Sequence, residues 1–260
     1  LSFLNDAGFY LFKSQLSVGI NPRKGVTTMR LSTVLGIRRR RIRNRIFTIG
    51  FIVTGMLSLA FAVVTFYGQN AGNFVITVDN PLRSRGISIS ESSDFLVKGS
   101  TLMSDPINDA REMTYSWIKI EEVQATNGNY KDKDHEYIAY TFYLKNTGLE
   151  TVDIVYYIRL TSTYKNVDQA IRILIIEDGV QTMYMREDLI ETEYPGNLPV
   201  TEYFISERTL LRKMIYNFRP EAIRKFSVII WLEGYDPDTN DSIIGGMIEL
   251  EMNFSIYTPQ

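Results

Sequence analysis

The chain has 260 residues, 45 % hydrophobic and 22 % charged, the composition of a folded protein rather than a disordered one. It holds no cysteine, which excludes disulfides, Cys-ligated zinc, iron–sulfur clusters and thiol nucleophiles. The formal net charge of −2 hides a split: residues 1–68 carry 10 Lys and Arg against 1 acid, and residues 69–260 carry 18 against 29, so the acidic bulk argues against a nucleic-acid partner, which needs a basic face.

Residues 1–28 show neither a targeting pattern nor a clear period. They read as upstream sequence before a start at Met29, or as a short cytoplasmic extension. Residues 29–45 are a basic segment with Arg38, Arg39, Arg40, Arg41, Arg43 and Arg45 and no acid. Residues 46–67 follow without a single charge, and roughly 20 apolar residues of helix cross a bilayer. Positive charge stays in the cytoplasm. The expected topology is therefore a single pass through the plasma membrane, amino end inside and residues 69–260 outside. Ala60-Phe61-Ala62 has the A-x-A spacing of a signal-peptidase site, and cleavage after Ala62 would make the protein secreted. The apolar character continues through Val63, Val64, Phe66 and Tyr67, which favours a retained anchor.

Beyond residue 67 the period becomes two, the mark of strands with one wet face. Strands are predicted at residues 73–78, 86–90, 115–121, 137–144, 152–160, 171–176, 180–185, 226–232 and 246–254. Residues 79–81 and 177–179 read as turns. Residues 137–160 read as a hairpin turning at Lys145-Asn146-Thr147-Gly148, with Gly148 supplying a positive φ. Val167 to Ala170 reads as one helical turn. Residues 206–217 read as a short helix, with Ser206 as N-cap and Leu210, Leu211, Met214 and Ile215 as its apolar stripe. The whole is mainly β: one N-terminal transmembrane helix, then an antiparallel, jelly-roll-like β-sandwich with one or two short helices.

Motifs for chemistry are sparse. His135 is the only histidine, and Ala139 stands where a zincin needs a second one. Paired acids such as Glu121-Glu122, Glu177-Asp178 and Glu187-Asp188 suit glycosidase work only if two face each other across a cleft; a solvated acidic surface is the plainer reading. Asp236, Asp238 and Asn240 alternate like the first three ligands of a calcium loop. Asp241 stands where that loop needs glycine, so a polar turn bent by Pro237 is the competing reading. Calcium is the one cofactor suggested. Trp231 lies in an apolar strand and should be core; a carbohydrate platform is the alternative role for Trp231 or Trp117.

The run FSVIIWLEGYDPD at residues 226–238, with Gly245-Gly246 after it, resembles a signature of exported surface proteins from Firmicutes-type bacteria. Phe66-Tyr67-Gly68 and Gly72-Asn73-Phe74 resemble the junction after the apolar signal in TasA/camelysin-like exported proteins. The resemblance covers the two ends of residues 69–260. It implies a surface β-sandwich, a matrix or fibre subunit. No metal-ligand motif matches the protease activity described for camelysin. The expected function is a non-enzymatic, membrane-anchored surface protein that self-associates or adheres to other surface proteins, with residues 74–78 as an unpaired edge for strand exchange. The alternatives are a cell-wall carbohydrate-binding or hydrolytic module, and an accessory subunit of a larger membrane complex.

Overall fold

A computed structural model describes residues 45–62, 73–188 and 192–258. They fall in two units divided after Ala62. The first contains one helix, α1 (Arg45–Ala62), long and apolar enough to cross a membrane. Its side chains are exposed all round, Phe47, Phe51, Met56 and Phe61 among them. Thr54 donates its hydroxyl to the Gly50 carbonyl at 2.8 Å, so the helix satisfies that polar group internally. Arg38 to Arg41 and Arg43 lie outside the described residues; Arg45 begins the helix. Ala60 and Ala62 occupy its last turn.

The second unit is a two-layer β-sandwich. Its strands, in chain order among the described residues, are β1 (Phe74–Val78), β2 (Ile87–Ser90), β3 (Thr101–Met103), β4 (Glu112–Met113), β5 (Gly128–Asn129), β6 (Ile138–Asn146), β7 (Val152–Tyr164), β8 (Ile171–Glu177), β9 (Val180–Met185), β10 (Val200–Tyr203), β11 (Thr209–Phe218), β12 (Ile223–Glu233) and β13 (Met247–Ile256). The smaller sheet has the order β11-β7-β13-β1-β3. The larger has the order β10-β9-β8-β12-β6-β2, with β4 beside β12 and β5 beside β6. Two short helices, α2 (Asn80–Ser84) and α3 (Ile120–Ala125), complete the unit.

The inner faces meet in an aromatic centre. Phe142 and Phe226 of the larger sheet pack on Tyr156 and Phe254 of the smaller one. The Phe226 ring lies edge-on to Tyr156 and Phe254, both at 5.5 Å between centroids. Such offset and edge contacts suit the quadrupoles of the rings. Strands β8 and β12 have a second apolar face as well. Leu174, Ile176, Ile229 and Trp231 point away from the sandwich interior and form a separate core with Met113, Ile118, Val123, Met183 and Met185. Strands buried on both faces read as continuous apolar runs rather than alternations, which accounts for IRILII at 171–176 and FSVIIWL at 226–232.

Several local expectations are met. The turn at 177–179 is a two-residue hairpin in which Glu177 pairs Val180. Asp178 and Gly179 both take positive φ there, as the favoured hairpin turn requires. A single helical turn forms at Val167–Gln169. The turn at 79–81 becomes the start of α2, where the Asp79 carboxylate accepts the Leu82 N–H at 2.9 Å.

Other expectations are corrected. The sheets are mixed, not purely antiparallel, because β1 runs parallel to β13, β10 to β9, and β4 to β12. Residues 137–160 are not a hairpin: β6 belongs to the larger sheet and β7 to the smaller, so the connection crosses between layers. Gly148 does not take a positive φ. It is glycine because a Cβ there would overlap the Arg85 carbonyl oxygen. Opposite it, Gly86 has φ +91° and equally little room against the Gly148 backbone.

The segment read as a helix at 206–217 is strand β11. Register shifts between Thr209 and Leu211 and between Ile215 and Phe218 mark irregularities that turn both Leu210 and Leu211 inward. Two adjacent buried residues imitate helical spacing. Ser206 accepts the Thr209 N–H at 2.9 Å, so it closes a turn into the strand. The strand read at 115–121 is a single 3-10 turn, Tyr115–Trp117, leading into α3. Phe74–Val78 is no edge: β13 and β3 flank it, and Phe74, Ile76 and Val78 are core.

Replacing Gly148 by alanine is expected to force Arg85 and its turn apart, lowering stability by about 2–4 kcal/mol. The urea midpoint with unchanged m-value measures this; a Gly148→Ala variant as stable as the parent would show that the two turns separate freely.

Candidate functional site

Trp231, Asp236 and Asp188, three of the residues singled out by sequence, meet on the outer face of the larger sheet. The antiparallel register of β8 and β12 sets Arg172 directly opposite Trp231. Both side chains are buried, Arg172 at 1 % exposure. A guanidinium in that position must be paired, because an isolated charge away from water is costly. Its Nη1 lies 2.7 Å from Asp236 Oδ2. Its Nη2 donates to the Tyr194 hydroxyl at 2.6 Å and lies 3.5 Å from Asp188 Oδ1. The Tyr194 hydroxyl in turn donates to Asp188. Burial, reinforced by that hydrogen bond to Asp188, raises the Tyr194 phenol above its usual range. Burial also raises the Asp236 carboxyl, against the pull of Arg172.

The loop after β12 is built around this pair. Trp231 donates its indole N–H to Glu233 at 2.9 Å, and Asp236 Oδ1 accepts the Asp238 N–H at 2.7 Å. The three residues proposed for calcium do not converge. Asp236 turns inward to Arg172, whereas Asp238 and Asn240 are exposed. Asn240 caps the 3-10 turn Asp241–Ile243 by accepting the Ser242 N–H at 3.0 Å. Among the described residues no group of three His, Asp or Glu side chains is placed to hold a metal ion. Trp231 is core, as expected. Arg172 was not singled out, although a lone charge inside an unbroken apolar strand is the signal that marks it.

The second cluster lies where the 3-10 turn Tyr115–Trp117 meets the loop before β6. Trp117 is 50 % exposed. Its ring stacks on His135 at 4.9 Å and 22°, which fixes the orientation of both. His135 also lines a groove of about 170 Å³ with Asp105, Asn129, Tyr130, Lys131 and Glu136. In the groove's lining the Asp132 carboxylate collects the Lys119 ammonium at 3.2 Å, the Tyr137 hydroxyl at 3.3 Å and the Asp134 N–H at 2.8 Å. Burial alone would raise its pKa; the Asp134 N–H and Lys119 outweigh that and hold Asp132 below its ordinary 3.8. Burial pushes the Tyr137 phenol up to about 12. At the rim Lys131 pairs Asp105 at 2.8 Å.

The paired acids serve structure where the contacts are drawn. Glu177 and Asp178 both face Arg224, at 3.4 and 3.0 Å. Asp188 faces Arg172. Comparison with family models, with curated protein sequences and with solved structures finds no match.

Arg172→Met should cost about 3–5 kcal/mol, because it leaves the buried Asp236 carboxylate without its cation. Combining it with Asp236→Asn should recover part of the loss in a denaturant titration. Additive losses in the double variant would show that the two groups are not energetically coupled.

Asp132 makes the fold sensitive to acid. A carboxyl whose folded-state value is lowered stabilises the fold above its ordinary value, and that contribution is lost as pH falls through the folded-state value. Between neutral pH and about pH 3, Asp132→Asn should therefore lose less stability than the parent chain. Parallel stability curves would assign the acid sensitivity to other groups.

Proposed function

We propose that the chain is a single-pass, non-enzymatic surface protein, anchored by α1 with its basic end in the cytoplasm and its β-sandwich displayed outside for structural or adhesive contacts. The observation that carries this reading is the bare apolar surface of α1. Its large side chains are exposed on every side of the helix, and a helix apolar all round belongs in lipid or in a large core. At 1.5 Å per residue its 18 residues reach about 27 Å, close to the thickness of a hydrocarbon core. The arginine run ahead of it supports the inside placement of the amino end. The second unit has its own core, so it needs no help from the anchor to fold. The resemblance at both ends of residues 69–260 to TasA/camelysin-like exported proteins agrees with display on a surface.

A second reading, carbohydrate binding, is favoured by one observation. Trp117 is half exposed, is held flat against His135, and stands beside a groove with polar side chains. Sugar rings stack on aromatic faces of this kind while their hydroxyls take hydrogen bonds from the rim. Loss of retention on a cell-wall polysaccharide column in Trp117→Ala would favour that reading over a purely structural role.

For the anchored reading, the full chain is expected to remain in the membrane fraction through an alkaline carbonate wash and to come out only with detergent. Leu57→Arg together with Val53→Arg, which puts two charges in mid-helix, should move it to the soluble fraction. Recovery of the parent chain in the carbonate supernatant would overturn the reading. A mature protein whose intact mass begins at Val63 would replace the anchor by secretion.

A further inference from the structure

With β1 enclosed, the long free edge of the smaller sheet is β11. Among the described residues it pairs with β7 alone, and β3 at the other edge is three residues long. Between its two register shifts, residues 211–215 run in unbroken register against residues 158–154 of β7. A regular edge strand presents backbone N–H and C=O groups to solvent, a template for one more strand.

A cleft of about 430 Å³ opens beside this same edge, where the two sheets part. Residues 213–216 of β11 form one wall and Val180 and Thr182 of β9 another. Ile175 and Ile215 give it an apolar floor. In strand addition the shared backbone ladder supplies affinity, and pockets for alternate side chains supply specificity. Both components meet at β11.

Charge indicates which strand fits. Residues 69–260 are strongly acidic in balance, 18 Lys and Arg against 29 acids. Yet Arg208, Arg212, Lys213 and Arg219, on β11 and at its ends, make no ion pair among the described residues. Arg224, on the far wall of the cleft, is already taken by Glu177 and Asp178. Lys213 has only the Thr182 hydroxyl, at 3.1 Å, and the face of the Tyr184 ring, at 5.7 Å. Two copies of β11 placed edge to edge would bring like charges together, which is unfavourable between paired strands. The edge is thus guarded against itself and open to the opposite charge.

We propose that β11 accepts an extended acidic segment of a partner protein as an added strand, with an apolar side chain in the cleft beside Lys213 and carboxylates on the opposite face, against Arg212. This gives a partner chemistry to the contact-making role proposed above and rests on that role. The test uses the detergent-solubilised full chain, so its result does not depend on where the chain resides.

The probe is a short synthetic peptide alternating valine with glutamate, with a lysine-for-glutamate peptide beside it. The acidic peptide is expected to bind and to slow amide hydrogen exchange within Thr209–Phe218, and the lysine peptide is not. Binding should weaken about tenfold in Arg212→Glu, and should fall as salt rises. Equal binding of both peptides, protection confined to other strands, or no binding of the acidic peptide would overturn the proposal. So would a dimer of the parent chain, seen by sedimentation, whose formation protects the same edge; that edge would then belong to a second copy. If that variant does not fold, the salt series and the lysine peptide still decide.

Discussion

Burial of β8 and β12 on both faces is the constraint on which the rest of the second unit depends. One face closes the sandwich against the smaller sheet, through Phe226, Val228 and Ile230 on β12 and Ile171, Ile173 and Ile175 on β8. The other face, with Leu174, Ile176, Ile229 and Trp231, would be a large exposed apolar patch if nothing lay over it, and patches of that kind drive association. The chain covers it with loops and single turns rather than a third sheet. Ile118 and Val123 belong to this cover, and Tyr194 and Leu198 pack against the same cluster. Short elements of this kind have little helical or ladder stability of their own. They are held by what they bury and by a few polar pins.

The pins explain the two polar clusters. Arg172 rises from the middle of the buried face and ties down two separate covering segments. Asp236 belongs to the loop after β12, and Asp188 and Tyr194 to the segment after β9. Asp132 plays the same part on the other side, joining Lys119, just before α3, to the loop that enters β6. A buried ion pair contributes little net stability compared with apolar residues of the same shape. It does impose direction, because an apolar cover could slide whereas a guanidinium has a fixed fork of donors. The loop with the calcium-like spacing is ordered around that cation, which is why its acids do not gather among themselves.

What the sequence revealed was what is local. The charge-free stretch, the two-residue turn at Asp178-Gly179, the apolar runs of β8 and β12 and the core role of Trp231 all follow from neighbours a few residues apart. The misreadings concern properties that no short window contains. Whether β6 and β7 pair, or face each other across a core, depends on β12 and β13 far along the chain. Whether β1 is an edge depends on β13, whose partner Leu250 lies opposite Phe74. At β11 the local pattern itself misled, because adjacent buried leucines at an irregularity look like one helical face. Arg172 was visible in the sequence as a charge inside IRILII, but its partners arrive from residues 188, 194 and 236. Only the fold brings those together.

The pairing of β1 with β13 also constrains how the unit forms. The first described strand of the second unit, β1, lies between β13 and a strand only three residues long. β13 in turn fills the place between β7 and β1. The smaller sheet therefore cannot close until the last strand of the described chain is present. Contacts of such long sequence separation form late, because the loop-closure entropy must be met before they contribute. Until then β1 and β7 expose edges and apolar faces. In the closed unit β1 is enclosed, and among the described residues β11 is the long edge of the smaller sheet left free.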